Sequence, residues 1–403
     1  MSNERRSQRI DVTRGIAILV VLFHHFNIAY PLRDTWLAHT FGWDAVHAVA
    51  RNGNYGVTAF FVVSGYLITS NALRRWSSLR DVDARAFYTL RAARILPCLV
   101  LLLATVNLLA LAGVEIFQNR PENGEALSFW LVNFASLTFW MNVLVAHHGW
   151  FNYALGVLWS LSVEEVFYLS FPLLGGLLRS ERALLAFWTL IVVVGPLYRF
   201  AHQGDEASFL YAYFASFDGI AIGCCAALLD TRLALQRGHA QALRLVALAG
   251  MIPLYLSGPI GETNVFGVTA MALGTAVLML GAFDEKPRKG GRFAFGATFS
   301  TTFGAVPAWF GRHSYELYLF HLIVLGALRT VYPPHATAGD HKLLLMAAYF
   351  ALAAIVAALI ARFFAEPLNR YARRRLLARP AAAAAAARSN DTPSPRVSAS
   401  HGN

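Results

Sequence analysis

The 403-residue sequence is short of charge and of cysteine. Only 14% of its residues are charged, against the roughly 25% typical of soluble domains, while 57% are hydrophobic. The three cysteines, Cys98, Cys224 and Cys225, all fall inside apolar stretches, which argues against a disulfide framework and gives no metal-ligand spacing. The composition therefore excludes an ordinary soluble domain and indicates a protein that lies in a lipid bilayer.

The net charge of +11 does not indicate a nucleic-acid partner. Lys and Arg occur in short clusters between apolar runs rather than on one amphipathic face, a pattern that sets membrane orientation. Near the amino terminus a basic stretch precedes GIAILVVLF, as in a signal peptide, but His24, His25 and Asn27 follow where a small-residue cleavage site is expected. We therefore predict an uncleaved first membrane span.

Eleven stretches approach the roughly 20 apolar residues that a crossing helix needs. An odd number would put the termini on opposite sides, yet both flanks are basic and basic flanks belong in the cytoplasm. The segment FWLVNFASLTFWMNVLVA has no basic residue just after it and an acidic connection before it, so we predict that it is re-entrant or interfacial. The alternative is a true eleventh crossing. The stretches are 10–30, 55–73, 95–113, 128–146, 156–178, 183–201, 208–229, 243–258, 263–283, 308–331 and 342–365.

The predicted fold class is all-α, a polytopic transmembrane helix bundle of about ten crossing helices. With ten crossings, the connections on the cytoplasmic side hold 23 Lys and Arg and the outer ones hold four. We expect a multi-pass protein of the inner (plasma) membrane with both termini cytoplasmic. Residues 1–379 form one membrane domain, and 380–403, rich in Ala, Pro and Ser, are expected to be a disordered cytoplasmic tail.

The first span carries polar residues on one face. Arg14 and His25 differ by only about 20° around a helix and are separated by roughly 16 Å of rise, with Asp11 about 40° from His25. His24 is turned some 80° away from Arg14, so His25 is the better candidate for an inward imidazole, which takes and returns protons near neutral pH. The alternative is that Arg14 reaches the headgroups and the histidines end the span at the interface.

The connection between the second and third spans contains six arginines and only two aspartates. In RAARILP, Arg91 and Arg94 are about one helical turn apart. Guanidinium groups bind phosphate through two parallel hydrogen bonds, so this pair is a candidate clamp for a nucleotide-bearing donor. The alternative is that these arginines are only a topology signal.

Paired carboxylates lie in LWSLSVEEVFYLSFP. Ser160, Glu164 and Tyr168 follow i, i+4, i+8 spacing and share one stripe, whereas Glu165 is rotated away from it. Such carboxylates orient a histidine, bind sugar hydroxyls or simply cap a helix at an interface. Because polar groups are costly inside a membrane, their presence in five separate spans predicts one common cavity. The other polar positions are Ser64 and Tyr66 in FFVVSGYLI, Asp218 in FDGIAIG, and Ser314 and His321 in HSYELYLFH.

Six motifs taken together in this order resemble the acyltransferase-3 family of integral membrane acyltransferases, which decorate bacterial surface polysaccharides and other exported or lipid-linked glycans. The resemblance runs from about residue 8 to residue 375 and includes RIDVTRGIAILVVLFHH, FFVVSGYLI, RAARILP, LWSLSVEEVFYL, FDGIAIG and HSYELYLFH. It implies that Arg14 and His25 are the catalytic pair and that Arg91 and Arg94 contact acyl-CoA. It also implies that Gly65 permits close helix approach while Ser64 faces the reaction cavity.

The expected activity is transfer of an acyl group, most simply acetyl, from acyl-CoA to a hydroxyl of a cell-surface, lipid-linked or exported carbohydrate. We expect acyl-CoA as co-substrate, no permanently bound cofactor and no metal. His25 acts either as general base or as acyl carrier. The rival is a proton-coupled transporter with a relay through His25, Glu164 and Asp218. The predicted site residues are His25, Arg14 and Glu164 (catalytic), Asp11, His24, Ser64, Tyr66, Glu165, Asp218, Ser314 and His321 (substrate), and Arg91 and Arg94 (donor).

Overall fold

The computed structural model describes residues 7–121, 124–233, 236–283 and 304–373, and these ranges contain helices but no strand. Within them, nine helices are long and apolar enough to cross a membrane. The prediction of an all-α, polytopic transmembrane bundle is confirmed. The predicted tail, 380–403, lies outside the described residues.

The helices are connected mostly by short turns, and the last one continues through a π-helical turn, Ala361–Ala365, to residue 373. In chain order they are α1 (Gln8–Ala29), α2 (Trp36–Phe41), α3 (Trp43–Ala50), α4 (Asn54–Trp76), α5 (Ala84–Leu111), α6 (Phe129–Leu137), α7 (Met141–His148), α8 (Leu158–Leu178), α9 (Glu181–Ala201), α10 (Glu206–Tyr211), α11 (Tyr213–Asp230), α12 (Arg237–Ser257), α13 (Ile260–Met279), α14 (304–312), α15 (Ser314–Val331) and α16 (His341–Ile360).

The segment predicted not to cross is divided into two short helices, α6 and α7. The chain breaks between them at Phe139, whose φ of 62° lies in the left-handed region. A helix of nine residues, the length of α6, rises only about 13 Å, less than half of the roughly 30 Å hydrocarbon thickness. The segment therefore contains no crossing helix, as the charge pattern predicts.

The predicted span 308–331 is also divided, into α14 and α15, which meet at His313. Helix α14 lies directly against α1, because a Cβ on Gly15 would overlap the carbonyl of Pro307 and one on Gly311 would overlap the carbonyl of Asp11. Only glycine at both positions allows the two backbones to approach so closely. The contact brings the start of α15 next to the part of α1 that carries Arg14.

The arginine-rich connection predicted at 74–94 is mostly helical. Helix α4 continues to Trp76, and α5 begins at Ala84, capped by the Asp83 side chain, which accepts a hydrogen bond from the backbone N–H of Ala86 at 3.1 Å. A helix of 28 residues, the length of α5, spans about 42 Å, more than the hydrocarbon core requires. Arg91 and Arg94 therefore lie in the first three turns of a long helix rather than in a loop.

Helices α4 and α11 pack closely at the centre of the bundle. A Cβ on Gly65 would overlap the carbonyl oxygen of Ile220, and one on Gly223 would overlap that of Val62. The prediction that Gly65 permits close helix approach is confirmed. Ser64, one residue earlier and therefore turned about 100° around α4, faces Glu164 of α8 instead.

Candidate active site

A cavity of about 730 Å³ lies between α1, α4, α5, α8 and α15, which is within the range of about 300–1,000 Å³ typical of ligand pockets. Its lining follows α4 from Val57 to Trp76, a rise of about 28 Å, so it extends through most of the bilayer thickness. Positive charge dominates its wall. The charged lining residues are Arg14, Arg74, Arg75, Arg91, Arg94, Arg373, Glu164 and Glu165.

One end of the cavity is rich in arginine and aromatic rings. The guanidinium carbon of Arg74 lies 4.4 Å from the ring centre of Phe283, and that of Arg75 lies 5.2 Å from Trp76. A guanidinium stacked on a ring keeps its N–H donors available at its edge. With Arg373 nearby in the same lining, this end fits a ligand that carries several negative charges.

A cluster of hydrogen bonds crosses the middle of the cavity wall and centres on Glu164. Its Oε1 accepts hydrogen bonds from the Ser64 hydroxyl and, at 2.6 Å, from the Tyr168 hydroxyl. Nη2 of Arg91 lies 3.4 Å from the same oxygen and 3.1 Å from Oε1 of Glu165, and its guanidinium stacks 3.7 Å from the ring centre of Tyr168. Two carboxylates therefore balance the charge of Arg91.

This arrangement differs from the predicted phosphate clamp of Arg91 and Arg94. Arg91 is occupied by the carboxylates of α8, whereas Arg94 is exposed and forms no hydrogen bond or ion pair within the described ranges. The two arginines are one helical turn apart, as their spacing in the sequence predicts. That spacing did not indicate that carboxylates of another helix would form ion pairs with one of them. Arg94 is the better candidate for contact with an anionic ligand.

Arg14, Arg94 and Ser314 face the cavity without partners. Arg14 makes no hydrogen bond to any other residue in the described part of the chain, and the Ser314 hydroxyl is 1% exposed and lacks a hydrogen-bond partner there. Glu316, in the first turn of α15, is a charged neighbour of both arginines. Because buried polar groups are normally hydrogen-bonded, the unpaired Ser314 hydroxyl, in the same cavity lining as Arg14 and Arg94, marks a position for a polar group of a ligand.

The opposite end of the cavity is closed by hydroxyl and aromatic groups. The Ser160 and Tyr318 hydroxyl oxygens lie 2.6 Å apart, and the Phe60 ring packs edge-on against Tyr318 with centroids 6.1 Å apart. All three residues line the cavity. We call Phe60, Ser160 and Tyr318 the end wall.

His25 and His321 form a pair next to the end wall. His321 Nε2 lies 3.2 Å from His25 Nδ1, and the Trp150 ring centre is 6.3 Å from that of His25. Neither histidine lines the cavity, and His321 approaches it through the Tyr318 ring, 6.0 Å away between centroids. The polar groups expected to share a single cavity are thus divided, because the histidine pair packs behind Tyr318 and outside the cavity.

Besides His321, four further residues predicted to bind substrate do not line the cavity. His24 Nδ1 lies 2.9 Å from the carbonyl oxygen of Ala50, and the Tyr66 hydroxyl donates to Asp230 at 2.6 Å. Asp218 is fully buried on the far side of α11. Asp11 is 6% exposed, beside the contact with α14. Each of these polar groups is held by the protein itself.

Several residues that line the cavity or contact the histidine pair were not among the predicted site residues. Ser160 and Tyr318 were visible as polar residues on apolar helices, but the hydrogen bond between them joins α8 to α15 and has no local sequence signal. Arg373 belongs to a basic flank that we interpreted only as a topology signal. Trp150 lies in a connection without periodicity, so nothing in the pattern indicated its contact with His25.

Comparison with known proteins identifies the family of this chain. A family model described as an acyltransferase domain matches residues 7–362. A peptidoglycan O-acetyltransferase of Listeria monocytogenes is 29% identical over 40% of this chain and 23% of its own length. An O-acetyltransferase of Staphylococcus aureus is 22% identical over 92% of this chain and 58% of its own length.

The chain therefore spans between about a quarter and three fifths of the length of these relatives. No solved structure matches it. The family model nevertheless covers nearly all of the membrane helices described above, including α1, α4, α5, α8 and α15 around the cavity. The chain thus belongs to the acyltransferase-3 family and, with nine long apolar helices among its described residues, is a multi-pass membrane protein.

Proposed function

We propose that this enzyme transfers an acetyl group from acetyl-CoA to a hydroxyl of a cell-surface, lipid-linked or exported carbohydrate. The positive cavity supports the donor, because the phosphates of a CoA nucleotide match a wall with six arginines and two glutamates. The names of the relatives, O-acetyltransferases of which one acts on peptidoglycan, support the acetyl group and the glycan acceptor.

We place the enzyme in the inner membrane of the cell. In the proposed orientation, the arginine-rich end of the cavity faces the cytoplasm. That end adjoins the basic segment 74–94, whose six arginines the charge pattern assigns to the inside. Gly53, just before α4, abuts His24, so the histidines lie near the opposite end of α4. A donor that enters from the cytoplasm would thus extend its acyl end toward the end wall.

The proposed chemistry is attack of a carbohydrate hydroxyl oxygen on the thioester carbonyl carbon. The C–S bond breaks, CoA leaves as a thiolate, and His25 takes the hydroxyl proton and returns it to the thiolate. In the alternative order, His25 takes the acyl group first and passes it to the acceptor. Arg14, about 16 Å below His25 on α1, would bind the pantetheine arm or a more distant part of the donor rather than the thioester oxygen.

The observation that carries this proposal is the arginine-lined cavity, whose end wall contains Tyr318, the residue that lies between the cavity and the histidine pair. A proton-coupled transporter would instead need His25, Glu164 and Asp218 along one pathway. Asp218 is fully buried in an ion pair with Arg199 and lies outside the cavity, which argues against that relay.

The test uses the full chain in nanodiscs with acetyl-CoA labelled in the acetyl group and chitopentaose as a soluble model acceptor, alongside the native glycan fraction. We expect label in the glycan and a loss of about 10²–10⁴-fold in His25→Ala, since a general base contributes about that much. His24→Ala, whose imidazole is bound to the Ala50 carbonyl, is the matched control and should retain activity. Transfer that survives His25→Ala would contradict the assigned role, and absence of CoA release with every acceptor would contradict the function.

Donor binding is tested separately by titration with acetyl-CoA. We expect Arg94→Ala to weaken binding roughly 10- to 100-fold, since a hydrogen bond to a charged group contributes about 1.5–3 kcal/mol. Arg85→Ala is the matched control, because Arg85 lies on the same helix, is exposed and does not line the cavity. Equal affinity in the two variants would show that the nucleotide does not bind at this end.

A further inference from the structure

The contacts between His25 and His321 bear on the tautomer of His25 as well as on its position. We propose that His321 is a positioning residue that holds His25 in the tautomer whose Nε2 carries the free lone pair. This inference rests on the proposed function only in taking His25 as the group that accepts the proton. The tautomer itself follows from the hydrogen-bond acceptors around the two rings.

The protonation of His321 is set by its own helix. Its Nδ1 lies 3.0 Å from the carbonyl oxygen of Leu317 and 2.8 Å from that of Tyr318. Carbonyl oxygens only accept hydrogen bonds, so Nδ1 of His321 carries the proton. In the neutral ring Nε2 therefore has a lone pair, and this lone pair is directed at His25.

The same reasoning fixes His25. Its Nδ1 lies 3.0 Å from the carbonyl oxygen of Val21 and 3.2 Å from Nε2 of His321. Both neighbours are acceptors, so Nδ1 of His25 carries a proton and donates to them. The other ring nitrogen, Nε2, is then unprotonated and available to take a proton from a hydroxyl group.

No carboxylate takes part in this arrangement. Within the described ranges the groups that face the two rings are the His24 imidazole, the Trp150 indole, the Tyr318 ring and backbone carbonyls, and no acidic or cationic side chain lies against either ring. His321 thus does with a neutral lone pair what a carboxylate does for the histidine of other acid–base sites. After His25 takes a proton on Nε2, its Nδ1–H still donates to His321, which stabilises the cation that forms.

The opposite tautomer is disfavoured by the same contacts. A proton on His25 Nε2 alone would leave the Nδ1 lone pair facing both the Val21 carbonyl and the His321 lone pair. Two acceptor contacts would then be repulsive instead of attractive, and a carbohydrate hydroxyl would meet an N–H donor where it needs an acceptor. Loss of His321 removes one of the two contacts that exclude this state.

Two variants of His321 separate positioning from packing. His321→Gln can put an amide oxygen where Nε2 stands, whereas the shorter His321→Asn can still bond the helix carbonyls but cannot reach His25. With the full chain in nanodiscs and chitopentaose as acceptor, we expect His321→Asn to lose about 10- to 100-fold in kcat, the size typical for a lost orienting partner. The KM for acetyl-CoA should stay unchanged, and His321→Gln should recover most of kcat. Equal kcat values for the two variants would overturn the proposal.

A second measurement does not depend on activity. In full-length protein labelled with ¹⁵N-histidine, the His25 signals are identified by their loss in His25→Gln. We expect a protonated Nδ1, an unprotonated Nε2 and a nitrogen–nitrogen coupling to His321 across the hydrogen bond. A proton on Nε2 of His25 would overturn the inference. The predicted tautomer in a protein that acetylates no acceptor would contradict the proposed function instead and leave the positioning role standing.

Discussion

The buried ion pair between Arg199 and Asp218 gives a test that separates structure from catalysis. Both side chains are fully buried, and two hydrogen bonds join them, at 2.8 and 3.2 Å. The carboxylate also accepts from the Thr269 hydroxyl at 2.7 Å and from the backbone N–H of Gly219 at 2.9 Å. Every oxygen of Asp218 is therefore used within the protein, and Asp218→Asn is the perturbation that disturbs this pair with the smallest change in volume.

The expected cost follows from what the substitution leaves behind. Arg199 keeps its bonds to the carbonyls of Asn264 and Val265, but its charge loses the only carboxylate paired with it in the described residues. Removing one partner of a buried pair costs about 3–5 kcal/mol, because the remaining charge is uncompensated. Replacing both partners by apolar residues of similar volume is often neutral or stabilising. The double variant Arg199→Met with Asp218→Leu should therefore be more stable than the single variant.

The assay combines thermal unfolding, followed by tryptophan fluorescence in detergent, with acetyl transfer by the same preparation. We expect Asp218→Asn to unfold at a much lower temperature and the double variant to recover both stability and activity. Asp44→Asn, an exposed carboxylate in the first turn of α3, is the matched control and should change neither. A double variant that folds but transfers no acetyl group would refute the reasoning and restore Asp218 as a candidate substrate residue.

Three further outcomes follow from contacts in the structure. Gly65→Leu should lower the yield of folded protein, because its side chain would overlap the α11 backbone, whereas Gly176→Leu, with nothing within 4 Å, should not; equal yields would contradict the close packing. Tyr318→Phe should lower kcat about fivefold with unchanged acetyl-CoA affinity, since it removes a hydrogen bond of roughly 1 kcal/mol in the end wall, and unchanged kinetics would exclude that role. The hydrogen bond from Lys342 holds the pKa of Asp34 below its ordinary value, so Lys342→Met should destabilise the protein by less than about 1 kcal/mol near neutral pH. That difference should vanish as the pH falls through the folded-state pKa of Asp34, and a deficit that persists in acid would point to lost packing instead.

The membrane architecture was predictable because it depends on averages over long stretches. Hydrophobic length located the spans, and the distribution of Lys and Arg identified 129–146 as a segment without a crossing helix, which α6 and α7 confirm. The helical form of the arginine-rich connection was not predicted. The arginines before residue 95 interrupt the hydrophobic stretch, so the predicted span begins there. The helix itself begins at Ala84, because backbone hydrogen bonding and the Asp83 cap extend α5 beyond its apolar part.

The candidate site was predictable where one helix determines the geometry. The spacing on α8 correctly put Ser160 and Glu164 on a shared stripe that faces the cavity. Contacts between helices were not predictable from spacing. Nothing in the sequence indicated that Asp218 would pair with Arg199 or that Arg91 would pair with the carboxylates of α8. The position of Tyr318 between His25 and the cavity was not indicated either. Each of these contacts depends on which helices become neighbours.

The distance between Arg14 and His25 along α1 has a chemical consequence for the proposed reaction. A donor with several phosphates needs concentrated positive charge, whereas a base that takes a hydroxyl proton needs a neutral imidazole with an available lone pair. A cation next to that imidazole would oppose its protonation, because like charges repel strongly where the local dielectric is low. With Arg14 and His25 about 16 Å apart on α1 and the Tyr318 ring between the cavity and the histidine pair, one helix can serve both needs. The length of the donor, rather than movement of Arg14, then has to bridge the distance between the anion site and the base.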